Sequence, residues 1–177
     1  NTWLQPTVAI VDGSEVELPR YEKHMLCDSE GKFPDNFNEW ENHVLSTELC
    51  RSDTLAWYRN PSRPSQDSLG INYQEGADHK IMRPDFIVFS ANDDGSVMAD
   101  IVDPHGLHFG DALPKLKGLA AYAEEYGSHY RRIDAIADID NTFRVLDLTE
   151  PAVRQEIEKA TDAKSLYLSS ASSEYAK

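Results

Sequence analysis

Hydrophobic and polar residues recur along most of the chain with the periods of strands and helices. Alternation with a period of two predicts a strand at residues 69–73, and short apolar runs bounded by turn residues predict strands at residues 84–89, 96–103, 129–138 and 143–148. Apolar positions at helical spacing, with capping residues, predict helices at residues 36–51, 111–127 and 149–160. The resulting order is α-β-β-β-α-β-β-α. Hairpins followed by a crossover helix predict an α/β fold, in which helices flank both faces of a central mixed sheet of four to five strands.

The remaining segments are less regular. Residues 1–35 alternate short apolar pieces with Gly, Pro and charge, which predicts a short β-rich N-terminal arm. Residues 55–66 (LAWYRNPSRPSQ) contain two prolines and predict a loop, while residues 75–80 (EGADHK) predict a turn. Residues 161–177 end in the polar run SSASSEYAK, which predicts a frayed C-terminal tail. The predicted domain therefore spans residues 36–160.

The first predicted helix carries two acids where apolar residues are expected. Asp35 and Asn36 are candidate caps at its start. Its apolar stripe consists of Phe37, Trp40, Val44 and Leu45. Glu41 and Glu48 lie within that stripe, and a buried carboxylate is costly unless it is paired or bound to a metal. For Glu48 we favour pairing with an arginine of the run at residues 131–132.

Composition limits the class of protein. The chain has 177 residues, of which 40% are apolar and 27% are charged, and this is typical of one soluble globular domain. Cys27 and Cys50 match no metal-ligand spacing, which favours reduced thiols in a cytoplasmic protein. Neither a bilayer-spanning apolar run nor a signal peptide is found in the sequence.

The net charge of −14 opposes binding to polyanions through a long-range field. Any affinity for DNA must therefore come from a local basic patch, from a bridging cation or from another part of a longer parent chain. A candidate patch is the segment with Trp57, Arg59 and Arg63, whose side chains suit base stacking and phosphate contacts. The alternative is that this segment is a packed loop over the sheet edge.

Acids mark the ends of two neighbouring predicted strands. Asp85 precedes the apolar run FIVF, Asp103 closes the run ADIVD, and His105 follows two positions later. Each alone is also explained by a strand start or a turn. Together with Glu41 from the first helix, they form a set of oxygen ligands that suits Mg²⁺, which binds a few carboxylates and keeps waters for a phosphate.

The stretch RPDFIVF … ADIVDPHG resembles the signature of PD-(D/E)XK nucleases, and the α-β-β-β-α-β order matches their core. More narrowly, residues 18–160 are similar to the C-terminal domain of large helicase-like proteins that resemble the Res subunit of type III restriction enzymes. The resemblance implies that Asp85 and Asp103 are metal ligands, that Glu41 is the acid of the first helix, and that His105 stands where the signature has lysine.

The histidine is a departure from that signature, because imidazole is only partly cationic near neutral pH. Lys115 or Lys117, on the following helix, is a candidate replacement for the missing charge. A rival register takes Asp100 as the second acid. We rank it lower, because Asp100 and Asp103 face opposite sides of a regular strand and because this register has no cation. A zinc site formed by His105, His108 and Asp111 is a further alternative.

The resemblance implies a Mg²⁺- or Mn²⁺-dependent endonuclease domain that hydrolyses DNA phosphodiesters. Asp85, Asp103 and Glu41 would hold the metal, His105 would act at the water, and Lys115 would be a reserve cation. Because the chain begins without Met, we expect a longer parent, whose helicase or ATPase portion acts with this domain in restriction or phage defence. The alternatives are an inactive domain of the same fold that binds DNA or docks to a motor or partner subunit, and an unrelated metal hydrolase.

Overall fold

The computed structural model describes residues 6–107 and 110–175. Its strands are β1 (Val8–Val11), β2 (Ser14–Glu17), β3 (Arg20–Glu22), β4 (Lys32–Pro34), β5 (Thr54–Arg59), β6 (Ile71–Glu75), β7 (Asp78–Met82), β8 (Phe86–Ala91), β9 (Val97–Pro104), β10 (Tyr130–Ile139), β11 (Thr142–Asp147) and β12 (Ser173–Glu174). Its helices are α1 (Glu39–Cys50), α2 (Ala112–Tyr126), α3 (Pro151–Lys159) and α4 (Ala163–Leu168), with a 3₁₀ turn at Gly127–His129. No helix in the described part of the chain is long and apolar enough to cross a membrane.

A mixed sheet forms the centre of the fold, in the strand order β12-β11-β10-β9-β8-β5. Neighbouring strands are antiparallel except β9 and β10, which are parallel and are joined through α2. The parallel pair follows from the chain, since a helix between two strands returns the second strand in the same direction. The α/β class and the mixed sheet flanked by helices are confirmed, but the sheet has six strands and not four to five.

Two apolar cores hold helices against the two faces of the sheet. On one face, Val44 and Leu45 of α1 pack against Phe86, Val88 and the rest of one cluster. On the other face, α2, α3 and α4 share a second cluster with inward residues of β9 and β10. Burial on both faces explains why β9 reads as a nearly continuous apolar run.

Strand β5 corrects the prediction of a loop at residues 55–66. Residues 54–59 form an edge strand that pairs with β8, and the prolines lie beyond its end. Trp57 on this strand is fully buried, and its Nε1 donates a hydrogen bond to the carbonyl oxygen of Glu22 at 2.7 Å. Its ring therefore has no free face for a nucleobase, which corrects the prediction that Trp57 stacks on nucleic acid.

The C-terminal segment is packed through residue 175, although its composition predicted fraying. Helix α4 begins after Asp162, whose carboxylate accepts a hydrogen bond from the Ser165 backbone N–H at 2.8 Å. Tyr167 and Tyr175 are both buried, one in each core. Burial of these two rings compensates the entropy of ordering a polar segment.

Three hairpins differ from the sequence prediction or complete it. The predicted turn at residues 75–80 is in fact the tip of the hairpin β6–β7, with only residues 76–77 in the turn. The predicted β-rich arm at residues 1–35 contains the hairpins β1–β2 and β3–β4. Following β3, His24 forms a bridge with Trp57, so the arm covers the outer edge of β5.

The start of α1 lies slightly later than the sequence predicted. Asn38, rather than Asp35 or Asn36, is the N-cap: its side chain accepts a hydrogen bond from the backbone N–H of Glu41 at 2.9 Å. In return, Glu41 Oε2 accepts a hydrogen bond from the backbone N–H of Asn38 at 2.8 Å. This capping box orients the Glu41 carboxylate at the helix start, and so toward one end of the sheet.

Gly118→Ala is expected to destabilise the protein by about 1–3 kcal/mol, because an added methyl group there overpacks the interface. A Cβ at position 118 on α2 would lie 2.4 Å from Cβ of Tyr73 and 2.9 Å from the carbonyl oxygen of Asn72. The hairpin β6–β7 would have to move away from the helix. Urea denaturation measures the effect, with Gly127→Ala as control, where a Cβ meets nothing within 4 Å. Equal stabilities of the two variants would contradict this packing argument.

Candidate functional site

Two acids from neighbouring strands meet at one end of the sheet. Strands β8 and β9 are antiparallel, and Phe86 pairs with Val102, so the preceding Asp85 lies opposite Asp103. The backbone N–H of Asp85 donates a hydrogen bond to Asp103 Oδ1 at 3.1 Å. The Asp103 side chain is only 9% exposed, while that of Asp85 is 26% exposed. The structure thus brings together the two acids that the sequence placed at strand ends.

Arg59 links this pair to Glu41. Its Nη2 lies 2.7 Å from Glu41 Oε1, and its Nη1 lies 3.2 Å from Asp85 Oδ1, at an angle that makes no hydrogen bond. The guanidinium carbon is 5.1 Å from the ring centroids of both Phe37 and Phe86, which is within cation–π range. Arg59, predicted from sequence to contact phosphates, is therefore a cation among the site acids.

The acids outweigh the arginine in this cluster. Burial, which has the largest effect, and the nearby charges of Asp103 and Glu41 together raise the pKa of Asp85 from its ordinary value to about 8. Arg59 acts in the opposite direction but does not cancel these effects. A carboxyl group with such a pKa is mostly protonated near neutral pH, because its ionisation would add negative charge to a partly desolvated place beside two other acids.

His105 has a neighbour at each ring nitrogen. Its Nδ1 lies 3.5 Å from Asp103 Oδ2 and 3.3 Å from the carbonyl oxygen of Asp103. Its Nε2 lies 3.0 Å from the hydroxyl of Tyr167. Backbone hydrogen bonding of the His105 N–H to the Ile136 carbonyl, at 2.9 Å, fixes this residue beside β10. These contacts favour a role in holding Asp103 over a direct role at a water molecule.

Tyr167 was not predicted as a site residue, because the composition of residues 161–177 predicts a tail. The signal that could have revealed it is the capping pattern of Asp162 and Ser165, followed by apolar residues at helical spacing. That pattern predicts a short helix with a buried face. It does not predict which element the helix packs on.

The predicted reserve cations have other partners. Lys115 Nζ lies 2.7 Å from Asp111 Oδ2, one turn away on the same helix. Lys117 Nζ donates a hydrogen bond to the carbonyl oxygen of Glu158 at 2.9 Å. Arg63 is exposed in the segment after β5, where a phosphate contact remains a prediction. His108 lies outside the described residues, and so does the zinc alternative that depends on it.

Asp100 belongs to a different cluster, on the face of the sheet that α1 covers, whereas Asp103 faces the other side of β9. It is fully buried, and its Oδ2 lies 2.6 Å from Arg131 Nη2 and 3.0 Å from Arg132 Nη2. Pairing between β9 and β10 shifts register at residue 131, and such a bulge lets both arginines reach the same acid. Glu48 lies 2.8 Å from Arg132, as predicted. The rival register with Asp100 is therefore remote from Asp85.

A divalent metal ion fits this site only in part. Within residues 6–107 and 110–175, no group of three or more His, Cys, Asp or Glu side chains is arranged to hold one. Asp85 and Asp103 supply two adjacent carboxylates, while Glu41 is held by Arg59. Two carboxylates are enough for Mg²⁺, which commonly takes one or two from the protein and fills its remaining positions with water and substrate phosphate.

The sequence of this chain matches a known protein family. The sequence profile of the YagJ family matches residues 22–176, most of the chain. The chain belongs to the YagJ family. Protein YagJ of Escherichia coli (strain K12) is 45% identical over 161 residues, which are 91% of this chain and 66% of that protein. The chain thus spans slightly less than two thirds of that relative's length. No solved structure matches the sequence.

The YagJ match has consequences for the site. It runs from β3 to β12, and so it includes Glu41, Arg59, Asp85, Asp103 and the C-terminal Tyr167. The names of the YagJ family and of the Escherichia coli YagJ protein state no reaction. The function must therefore be argued from the side chains at this end of the sheet.

Proposed function

We propose that the chain is a Mg²⁺- or Mn²⁺-dependent endonuclease domain that hydrolyses phosphodiester bonds in DNA. The observation that carries this proposal is the contact between Asp85 and Asp103: when both carboxyl groups are ionised, their negative charge lies in a partly desolvated place and exceeds the charge of Arg59. A divalent cation would offset that charge, and carboxylate oxygens are ligands that Mg²⁺ prefers.

The order of elements supports a restriction-endonuclease-like core. The series α1, β5, β8, β9, α2, β10 reproduces the α-β-β-β-α-β order of PD-(D/E)XK nucleases, once the hairpin β6–β7 is treated as an insertion. Asp85 precedes the second strand of this series and Asp103 lies near the end of the third. These are the positions that the resemblance assigns to the two acids of the signature.

Each side chain of the site has a proposed role. Asp85 and Asp103 are the metal ligands, and Glu41 completes or orients the ligand set. The chemistry that bound Mg²⁺ supplies is polarisation of a phosphodiester oxygen and a lower pKa for an attacking water. Arg59 takes the place of the missing lysine, because it is the cation in contact with two of the acids. Arg63 contacts the DNA backbone.

His105 and Lys115 receive more indirect roles than the sequence predicted. Because both ring nitrogens of His105 have neighbours, we assign it to the orientation of Asp103 and not to the water. Lys115 serves as a reserve cation only if its ion pair with Asp111 opens.

A second candidate function is a non-catalytic domain of the same fold that binds DNA or docks to the helicase or ATPase portion of a longer parent protein. The observation that favours it is the position of Arg59, which pairs with Glu41 and lies against Asp85 where a metal would be needed. The net charge of −14 also favours docking to protein over docking to DNA.

Incubation of supercoiled plasmid with the purified chain distinguishes the two functions. With Mg²⁺ or Mn²⁺ we expect conversion to nicked and linear DNA, and with EDTA we expect none. Asp103→Ala should be inactive because it removes one proposed ligand. If the wild type and Asp103→Ala nick the plasmid equally, the activity is a contaminant. If neither nicks it and Mn²⁺ does not raise the melting temperature, the non-catalytic function is favoured.

A further inference from the structure

We propose that Tyr167 is a positioning residue of this site: its hydroxyl sets the tautomer of His105, and His105 in turn orients the Asp103 carboxylate. The geometric part of this inference depends only on contacts in the protein. Its consequence for metal binding rests on the proposed function. The positioning role of Tyr167 makes helix α4 a part of the site, although this helix lies in the C-terminal segment.

Burial of the Tyr167 side chain holds its hydroxyl beside His105 and away from water. The side chain is fully buried in the core between the sheet and the helices α2–α4. Its ring lies 5.7 Å from the ring of His105, between centroids, and is inclined to it by 63°. The hydroxyl reaches Nε2 at 3.0 Å. A buried hydroxyl without a partner is costly, so this contact is expected to be kept in solution.

The direction of this hydrogen bond follows from the atoms that face the other ring nitrogen of His105. Nδ1 lies beside two oxygen acceptors of Asp103, which favour a proton on Nδ1 and leave Nε2 to accept from the phenol. Burial, followed by the charges of Asp103 and Asp134, raises the pKa of Tyr167 well above its ordinary value, so the hydroxyl keeps the proton that it donates. A neutral imidazole has one donor and one acceptor nitrogen, so if Nε2 accepts, the ring proton of His105 is on Nδ1.

This tautomer directs the Nδ1–H of His105 toward Asp103. Nδ1 lies 3.3 Å from the backbone oxygen and 3.5 Å from Oδ2 of Asp103. The other carboxylate oxygen, Oδ1, accepts the backbone N–H of Asp85 at 3.1 Å. The carboxylate is thus held from two sides. The opposite tautomer would turn the Nδ1 lone pair toward two oxygen acceptors, which is repulsive.

Partners of this kind matter for metal affinity. Groups that orient a ligating carboxylate or histidine typically change metal affinity or activity about 10–100-fold when they are removed. Tyr167→Phe deletes only the hydroxyl and keeps the buried ring. It should therefore release the His105 tautomer without emptying the core.

Nitrogen-15 NMR of the metal-free chain tests the tautomer directly. With ¹⁵N-labelled histidine at about pH 8, where an ordinary imidazole is neutral, two-bond correlations identify the protonated nitrogen. His105→Gln assigns the signal by its loss. In the wild type we expect Nδ1–H, and in Tyr167→Phe a mixture or the Nε2–H form. An unchanged His105 pattern in Tyr167→Phe, or Nε2–H in the wild type, would overturn the inference.

Mn²⁺ titration by calorimetry supplies the second readout. Tyr167→Phe is expected to weaken binding about 10–100-fold. The matched control is Tyr122→Phe, which removes a hydroxyl that contacts the hydroxyl of Tyr130 at 2.6 Å, and it should bind as the wild type does. Equal weakening by both variants would contradict a specific role for Tyr167. A wild type that binds no Mn²⁺ would reject the proposed function, whereas the tautomer experiment would still decide the positioning role.

Discussion

Asp85→Asn is expected to reduce Mg²⁺-dependent plasmid cleavage to background and, at the same time, to stabilise the metal-free protein. Cleavage is lost because an amide oxygen is a neutral and weaker ligand than a carboxylate, and this residue supplies one of two adjacent carboxylates at the site. Stability is gained because the substitution removes a charge that is partly desolvated and lies near two other acids. Replacement of a residue that is kept for function often lowers activity and raises the stability of the folded protein.

The stability gain should depend on pH in a defined direction. The pKa of Asp85 is about 8 in the folded protein and near 3.8 in an unfolded chain, so the folded state holds this proton more tightly. The wild type therefore loses stability as pH rises from about 4 to about 8, and Asn avoids that loss. At pH 8 we expect a gain of about 2 kcal/mol, less than the full shift implies because partial exposure and Arg59 relieve the charge.

Urea denaturation of metal-free protein between pH 4 and pH 8.5 measures this effect. Asp93→Asn is the matched control, since it makes the same change in net charge at an exposed turn position. A stability difference between Asp85→Asn and the wild type that stays constant with pH would show that Asp85 is an ordinary surface acid. Cleavage by Asp85→Asn at the wild-type rate would remove it from the proposed ligand set.

Arg132→Met is expected to cost about 3–5 kcal/mol in free energy of unfolding, because it removes a counter-charge that three buried acids share. Arg131 still pairs with Asp100 and Arg51 still pairs with Glu48, but neither reaches all three acids. The guanidinium lies 2.8 Å from Glu48, 3.0 Å from Asp100 and 2.8 Å from Asp134. Glu48 and Asp100 are at most 1% exposed, and water cannot replace the lost partner. Glu48 also accepts a hydrogen bond from the hydroxyl of Tyr175 at 2.5 Å, so the loss extends to the C-terminal segment.

The control for this prediction is Arg20→Met. Arg20 makes exposed ion pairs with Asp28 and Glu30 at 3.7 and 3.5 Å, and such pairs contribute about 0–1 kcal/mol. Equilibrium urea unfolding of the two variants, compared at equal m-values, measures the difference between their free energies of unfolding. If both variants lost the same small amount, the buried cluster would not depend on Arg132. If Arg132→Met were more stable than the wild type, the neighbouring acids would be protonated in the folded state at little cost in free energy.

Periodicity located the elements whose burial is regular. Helix α2 was predicted at residues 111–127 and found at Ala112–Tyr126, while the strand predicted at residues 96–103 was found at Val97–Pro104. Helix α2 buries one stripe of positions, which imposes the helical period, whereas β9 is buried on both faces, which imposes a short apolar run. Strand β5 escaped detection because its register shifts between Thr54 and Ala56, so that Leu55 is exposed although Trp57, two positions later, is buried.

The site was predictable only where local sequence and strand register determine it. Asp85 and Asp103 were identified because each ends an apolar run, and antiparallel pairing of those runs brings their ends together. The partners of these acids were not identified correctly. Arg59 was assigned to nucleic acid, and Lys115 was chosen as the cation because it is nearer in sequence, although it pairs with Asp111.

By itself, the sequence determined the α/β class, the helices α2 and α3, and the pair of acids at the ends of β8 and β9, since each depends on neighbours a few positions apart. Tertiary structure alone decided that Arg59 lies among those acids, that Arg132 pairs with Glu48 of α1, and that Tyr167 contacts His105. Contacts of that kind join segments far apart in the chain. They form only when burial of apolar faces has brought their helices and strands together. A local sequence pattern does not predict which polar side chains will then be in contact.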